Sequence, residues 1–161
     1  MSDLERFYAY RSNPDVARYQ GWLPQSLEEA QNFIAAQQIG SLEPPGSWLQ
    51  VAVALRSTNA IVGDIGLCLV SRDEVEIGFS LAPAAQGFGY AQEAVAAAAG
   101  HLHRGCGVRN LRAITDTRNE KSIALLQRLG FVLKRTSSEI FHGQWCEQLR
   151  FVLRLNGDEG R

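Results

Sequence analysis

The sequence predicts an α+β domain built on a mixed sheet. At Trp48 the hydrophobic period changes from helical to strand-like, so helices lead and strands follow. Farther on, a strand–helix–strand unit over 75–117 implies a parallel pair, while tight turns at 57–59 and 72–73 imply antiparallel hairpins.

Each element has its own signal. Residues 2–13 place Leu4, Phe7 and Tyr8 on one side of a helix that Asn13-Pro14 ends. Ser26 opens a second helix with Glu29 at capping-box spacing, and Leu27, Ala30, Phe33 and Ile34 recur until Gly40. Glu43-Pro44-Pro45-Gly46 reads as a loop. Strands are expected at 48–55, 61–70 and 75–81. A helix over 90–103 follows, with Ala91, Ala94, Val95, Ala98 and Leu102 on one face. A strand at 111–117 leads to a short helix capped by Asn119 and stopped by Gly130. Strands 132–138 and 148–155 form a last hairpin through His142-Gly143. One domain over 1–155 is expected, with 156–161 as a frayed tail.

Composition removes several function classes. Sixteen basic side chains against seventeen acidic ones leave a net charge of −1, with no basic excess for nucleic-acid binding. No apolar run approaches the roughly 20 residues that span a bilayer, and Met1–Glu5 lacks a signal pattern, so no membrane partner is expected. Cys68, Cys106 and Cys146 are an odd number without a CxxC pair. They read as free thiols of a cytoplasmic protein without a metal site, Cys106 lying in a loop between two glycines.

The most informative stretch runs from Glu76 through Gln86-Gly87-Phe88-Gly89-Tyr90-Ala91. A strand enters a loop with two glycines and passes directly into a helix, which aims several backbone N–H groups and a helix N-terminus at one spot suited to phosphate. A P-loop needs a lysine that this loop lacks. The dinucleotide fingerprint is broken because Gln92 stands where its last glycine belongs. A tight connection that binds nothing is the remaining plain reading.

Gln86-Gly87-Phe88-Gly89-Tyr90-Ala91 fits the Q/R-x-x-G-x-G/A signature and resembles the GCN5-related N-acetyltransferase (GNAT) superfamily. Glu76-Ile77-Gly78-Phe79, Glu93-Ala94, Asn119-Glu120-Lys121-Ser122 and Leu129-Gly130-Phe131 are similar to the RimJ/RimL branch, which acetylates the α-amine of ribosomal proteins. Trp22 and Gly143-Gln144-Trp145 also suit that branch. The resemblance covers roughly residues 3–155 and implies the GNAT fold, a mixed central sheet flanked by helices. Members usually begin with a strand, and here that N-terminal first strand is missing. The edge that strand would form is then expected to be missing, exposed or covered by a partner, which would make a homodimer an expected arrangement.

The resemblance implies acetyl-CoA as co-substrate and direct transfer to an amine-bearing small molecule or a protein N-terminus. The loop amides of Gly87, Phe88, Gly89, Tyr90 and Ala91, with Gln86, would hold the pyrophosphate, while the Leu81 backbone and Asn119 would meet the pantetheine arm. Strand alternation puts Glu74, Glu76, Gly78 and Ser80 on one face, which the resemblance turns towards the cleft. Glu76 is the candidate base and Ser122 the candidate proton donor to the leaving thiolate. A solvated strand carboxylate and a locally hydrogen-bonded serine are their plain readings. The tyrosine acid of many GNAT enzymes is replaced by Leu126. Trp22 and Trp145 would wall the acceptor site, or close the core. Two other functions stay open: a small-molecule N-acetyltransferase acting on an amino acid, polyamine or antibiotic, and a non-catalytic acyl-CoA-binding protein.

Overall fold

A computed structural model describes residues 1–38 and 40–155; the expected tail at 156–161 lies outside them. Three helices open the chain: α1 (Asp3–Arg11), α2 (Pro14–Ala17) and α3 (Leu27–Gln37). Three strands follow, β1 (Trp48–Ala54), β2 (Ile61–Ser71) and β3 (Glu74–Leu81). Then come α4 (Tyr90–Cys106), β4 (Asn110–Asp116), α5 (Glu120–Arg128), β5 (Val132–Phe141) and β6 (Gln144–Arg154). The strands form one six-stranded sheet in the order β1-β2-β3-β4-β6-β5, parallel only between β3 and β4. With β1 at one edge, no strand among the described residues precedes the helices.

Strand alternation builds two layers. Val75, Ile77, Leu111, Ala113 and Phe151 face Val95 and Leu102 of α4 and Leu126 of α5. Each fully buried side chain of this size contributes roughly 1.5–3 kcal/mol. On the opposite face Phe7, Tyr10, Val16 and Ala30 make a second core beneath α1–α3. Asp64 ties that layer to the sheet: it accepts from the Tyr10 hydroxyl at 2.5 Å and from Arg11 Nε at 3.0 Å, with a second contact from Arg11 Nη2.

Several local expectations need correction. Asn13-Pro14 follows the end of α1 as expected, but it also opens the unexpected α2, because the fixed φ of Pro14 suits a first helical position and Asn13 caps it by accepting from Asp15 N–H. The complete capping box lies at Ser2 and Glu5. At Ser26 only half forms, since Glu29 turns to the N–H of Gln25. Cys106 is the last residue of α4, and Gly107, with φ of +71°, supplies the left-handed stop. The last hairpin is longer than expected because pairing continues through Ile140–Trp145 and Phe141–Gln144.

The feature that positions the site is a short parallel seam. β3 and β4 pair only at Glu74–Asn110, Val75–Leu111 and Glu76–Arg112. Beyond it β3 stays with β2 as far as Leu81, β4 stays with β6 as far as Asp116, and the two part company.

Candidate active site

The parted strands open a cleft of about 640 Å³. Glu76 and Gly78 of β3, Asn119 and Ser122 at the start of α5, and Trp22 from the loop before α3 all line it. The structure therefore brings together both expected catalytic residues, the expected arm-binding asparagine and one of the two expected tryptophans.

Glu76 sits where the seam ends, half-buried and held by a residue that sequence reasoning missed. Arg112, its partner across the seam, places Nε 2.7 Å and Nη2 2.6 Å from Glu76 Oε2. Arg112 also reaches Glu74 at 3.5 Å. Alternation within β4 was the available signal: Arg112 lies one residue from the apolar Leu111 and Ala113, on the face opposite to theirs. Beside the pair, burial and then the Glu76 carboxylate push the Cys68 thiol up, so that it stays neutral.

Asn119 caps α5 by accepting from the Ser122 N–H through Oδ1 at 3.2 Å, which keeps its Nδ2 group as a donor. Ser122 thus stands in the first helical turn beside the asparagine that fixes it. Leu126 is nearly fully buried at the cleft wall, so no phenol is offered there.

The glycine loop leaves the end of β3 and is braced by side chains. Gln86 Nε2 donates to the Leu81 carbonyl at 3.2 Å, and Lys121 Nζ donates to Gln86 Oε1 at 2.9 Å. Lys121, which sequence reasoning gave no role, thereby joins α5 to the loop. Gly87 and Gly89 adopt φ of +87° and +83°, conformations that glycine takes without strain. A Cβ at either would meet no atom within 4 Å, so open space lies against both. Gly89 precedes Tyr90 and Ala91 of α4 without any side-chain cap, which leaves the first-turn amides without a side-chain acceptor. Phe88 is exposed and stacks on Tyr90 at 5.8 Å between ring centroids. This cradle fits a pyrophosphate: bare amides, a helix N-terminus and room for oxygen atoms.

Trp22 stacks on Phe33 at 4.3 Å between ring centroids, and both line the cleft. Trp145 is 74% exposed on the last hairpin and does not line the cleft; Trp48 does. At the cleft margin Asp116 is held below the usual carboxylate range by Arg118, which donates from Nε and Nη2 at 2.8 and 2.7 Å. Among the described residues no group of His, Cys, Asp and Glu could hold a metal ion, and no helix is long and apolar enough to cross a membrane.

Residues 1–132 match the family described as acetyltransferase (GNAT) domain. A relative from Bacillus subtilis (strain 168), described as the uncharacterized N-acetyltransferase YoaA, is 28% identical over 132 residues, covering 80% of this chain and 73% of its own length. A GNAT-family acetyltransferase from Bacillus anthracis superposes with a TM-score of 0.83 at 21% identity, over 94% of this chain and 89% of that one. Spermidine N-acetyltransferase from Vibrio cholerae, solved with CoA and spermine, superposes with a TM-score of 0.78 at 18% identity, over 94% and 89%. With the fold, the loop and the family match in agreement, the chain belongs to the GNAT acetyltransferase family.

Proposed function

We propose that the protein moves an acetyl group from acetyl-CoA directly to a primary amine, with donor and acceptor held together in the cleft. One observation carries this reading: Glu76, Asn119 and Ser122 line a single cleft opened at the end of a three-rung seam. Acetyl-CoA supplies an activated thioester. The amides of Gly87–Ala91 and the N-terminus of α4 bind its pyrophosphate, and Gln86 holds the loop to the strand end. The Leu81 backbone and Asn119 orient the pantetheine arm.

Glu76 accepts the proton of the incoming ammonium, with Arg112 fixing one carboxylate oxygen so that the other faces the acceptor. The amine nitrogen bonds to the acetyl carbon as the carbon–sulfur bond breaks, and the Ser122 hydroxyl gives its proton to the departing thiolate. The acetylated nitrogen sheds its second proton, which restores the Ser122 hydroxyl, and Glu76 releases the proton it took to solvent. Removing an ammonium proton asks less for a protein α-amine, whose ordinary pKa is about 8, than for an alkylamine near 10.

The finer acceptor reading rests on resemblance: Glu76–Phe79, Asn119–Ser122 and Trp22 suit α-amine acetylation of the RimJ/RimL kind, as a cytoplasmic modifying enzyme. The spermidine enzyme among the structural neighbours supports a small polyamine as the second acceptor. The test is calorimetric titration with acetyl-CoA, followed by an acceptor screen that sets N-terminal peptides against di- and polyamines. Saturable binding of acetyl-CoA with no transfer to any amine would leave only an acyl-CoA-binding role, and absence of binding would remove the loop assignment.

A further inference from the structure

Trp48, Cys68, Glu76 and Arg112 stand in one row across β1, β2, β3 and β4. The neighbouring row on the same face is Gln50, Gly66 and Gly78. Neither glycine has a positive φ, so the backbone does not demand glycine at these positions. At Gly66 the side chains packed over it do: a Cβ there would come within 2.8 Å of Gln50 Nε2 and 3.1 Å of Trp48 Cε3, whereas one at Gly78 would lie 3.9 Å from Trp48 Cζ3, an ordinary contact that marks how far the ring reaches.

The two bare positions form a floor on which the indole lies. Along it Trp48 reaches from the edge strand towards the central strand, two strand spacings or about 10 Å away. The ring joins Glu76 in lining the cleft and is 45% exposed, although a tryptophan on an edge strand has no need to cross two strands for burial. An aromatic face beside a carboxylate is a site for an organic cation, attracted by the ring's electron-rich face and by the negative charge.

We propose that Trp48 is a specificity-determining residue of the acceptor half: its indole face receives the substrate's primary ammonium next to Glu76. The assignment rests on the acyl-transfer reading above and adds the acceptor's charge class, an amine that arrives protonated. In docking no bond is made or broken; the ammonium keeps its proton until Glu76 takes it.

The test is calorimetric titration of the CoA-saturated protein with n-butylammonium and with butyltrimethylammonium, using neutral butanol as the uncharged control. Both cations bind saturably and butanol does not. Trp48→Leu, which keeps apolar bulk without the ring, weakens both cations by about tenfold, whereas Trp48→Phe keeps most of the affinity. Acetyl-CoA affinity is unchanged in both variants, and Trp145→Ala binds the cations as the wild type does. Wild-type cation affinity in Trp48→Leu, or no cation binding by the wild type, overturns the assignment. Failure of the wild type to bind CoA would remove the acyl-transfer reading instead; the cation titrations, run without CoA, would still decide the role of Trp48.

Discussion

Both close contacts from Arg112 to Glu76 fall on the same carboxylate oxygen, Oε2, at 2.7 and 2.6 Å. A guanidinium that grips one oxygen through two nitrogens fixes the carboxylate's orientation and leaves Oε1 outside its grip. Replacing Arg112 by Gln lowers kcat by about tenfold with acetyl-CoA affinity intact, because the geometry of the fixed carboxylate is lost. Added methylguanidinium restores part of the rate. Steady-state kinetics with and without that cation check the outcome.

Removal of the carboxylate has the larger effect. Glu76→Gln lowers kcat by about 10²–10⁴-fold, the usual contribution of a positioned base, with little change in acetyl-CoA affinity. Single-turnover rates and a donor titration on the same preparation separate the two quantities. A wild-type rate would remove Glu76 from the chemistry.

Gly89→Val introduces two faults at once. It forces a β-branched residue to φ of +83° and fills the open space next to the first amides of α4. Acetyl-CoA affinity falls by more than about tenfold, as expected when the backbone cannot approach phosphate. Circular dichroism shows whether the fold is retained, and calorimetry reads the affinity.

The buried cluster of Tyr10, Arg11 and Asp64 governs stability. Asp64→Ala strands the Arg11 guanidinium, which is 5% exposed, and costs about 3–5 kcal/mol. Tyr10→Phe removes one donor and costs about 1–3 kcal/mol. Burial, then the Asp64 charge, pushes the Tyr10 phenol up, so it remains a donor at neutral pH. Urea unfolding of both variants checks the order.

Acid acts through Asp116. Its carboxyl is held below the ordinary value by Arg118, so its share of stability is fully present above that ordinary value and is lost as pH falls through the lower, folded one. Wild type therefore exceeds Arg118→Ala in stability above roughly pH 4, and the gap closes as the carboxyl is protonated below that. Denaturant melts from pH 2 to pH 6 show the convergence.

The order of strands and helices was legible because each turn and cap is local. Asn119, Gly130 and the Gly87-Phe88-Gly89 loop announce themselves within a few residues. The glycine loop and the start of α5, where Asn119 and Ser122 line the cleft, were legible for the same reason, since each is a contiguous segment. The partners of Glu76 and Asp64 were not. Arg112 lies 36 residues from Glu76 and Arg11 lies 53 from Asp64, and those pairings depend on register across the sheet. The exchange of Trp145 for Trp48 has the same origin. Trp145 falls beside a recognisable turn, whereas Trp48 reaches the cleft by passing over Gly66 of a neighbouring strand, where a Cβ would crowd its ring.

A sheet joined in its middle by three rungs is two half-sheets sharing one register. One half carries Trp48 and the glycine loop's strand, and the other carries β4, which leads to Asn119 and Ser122. Glu76 and Arg112 close the last rung from either side, so a slip of one residue at the seam would carry one of the pair to the opposite face and part the carboxylate from its guanidinium.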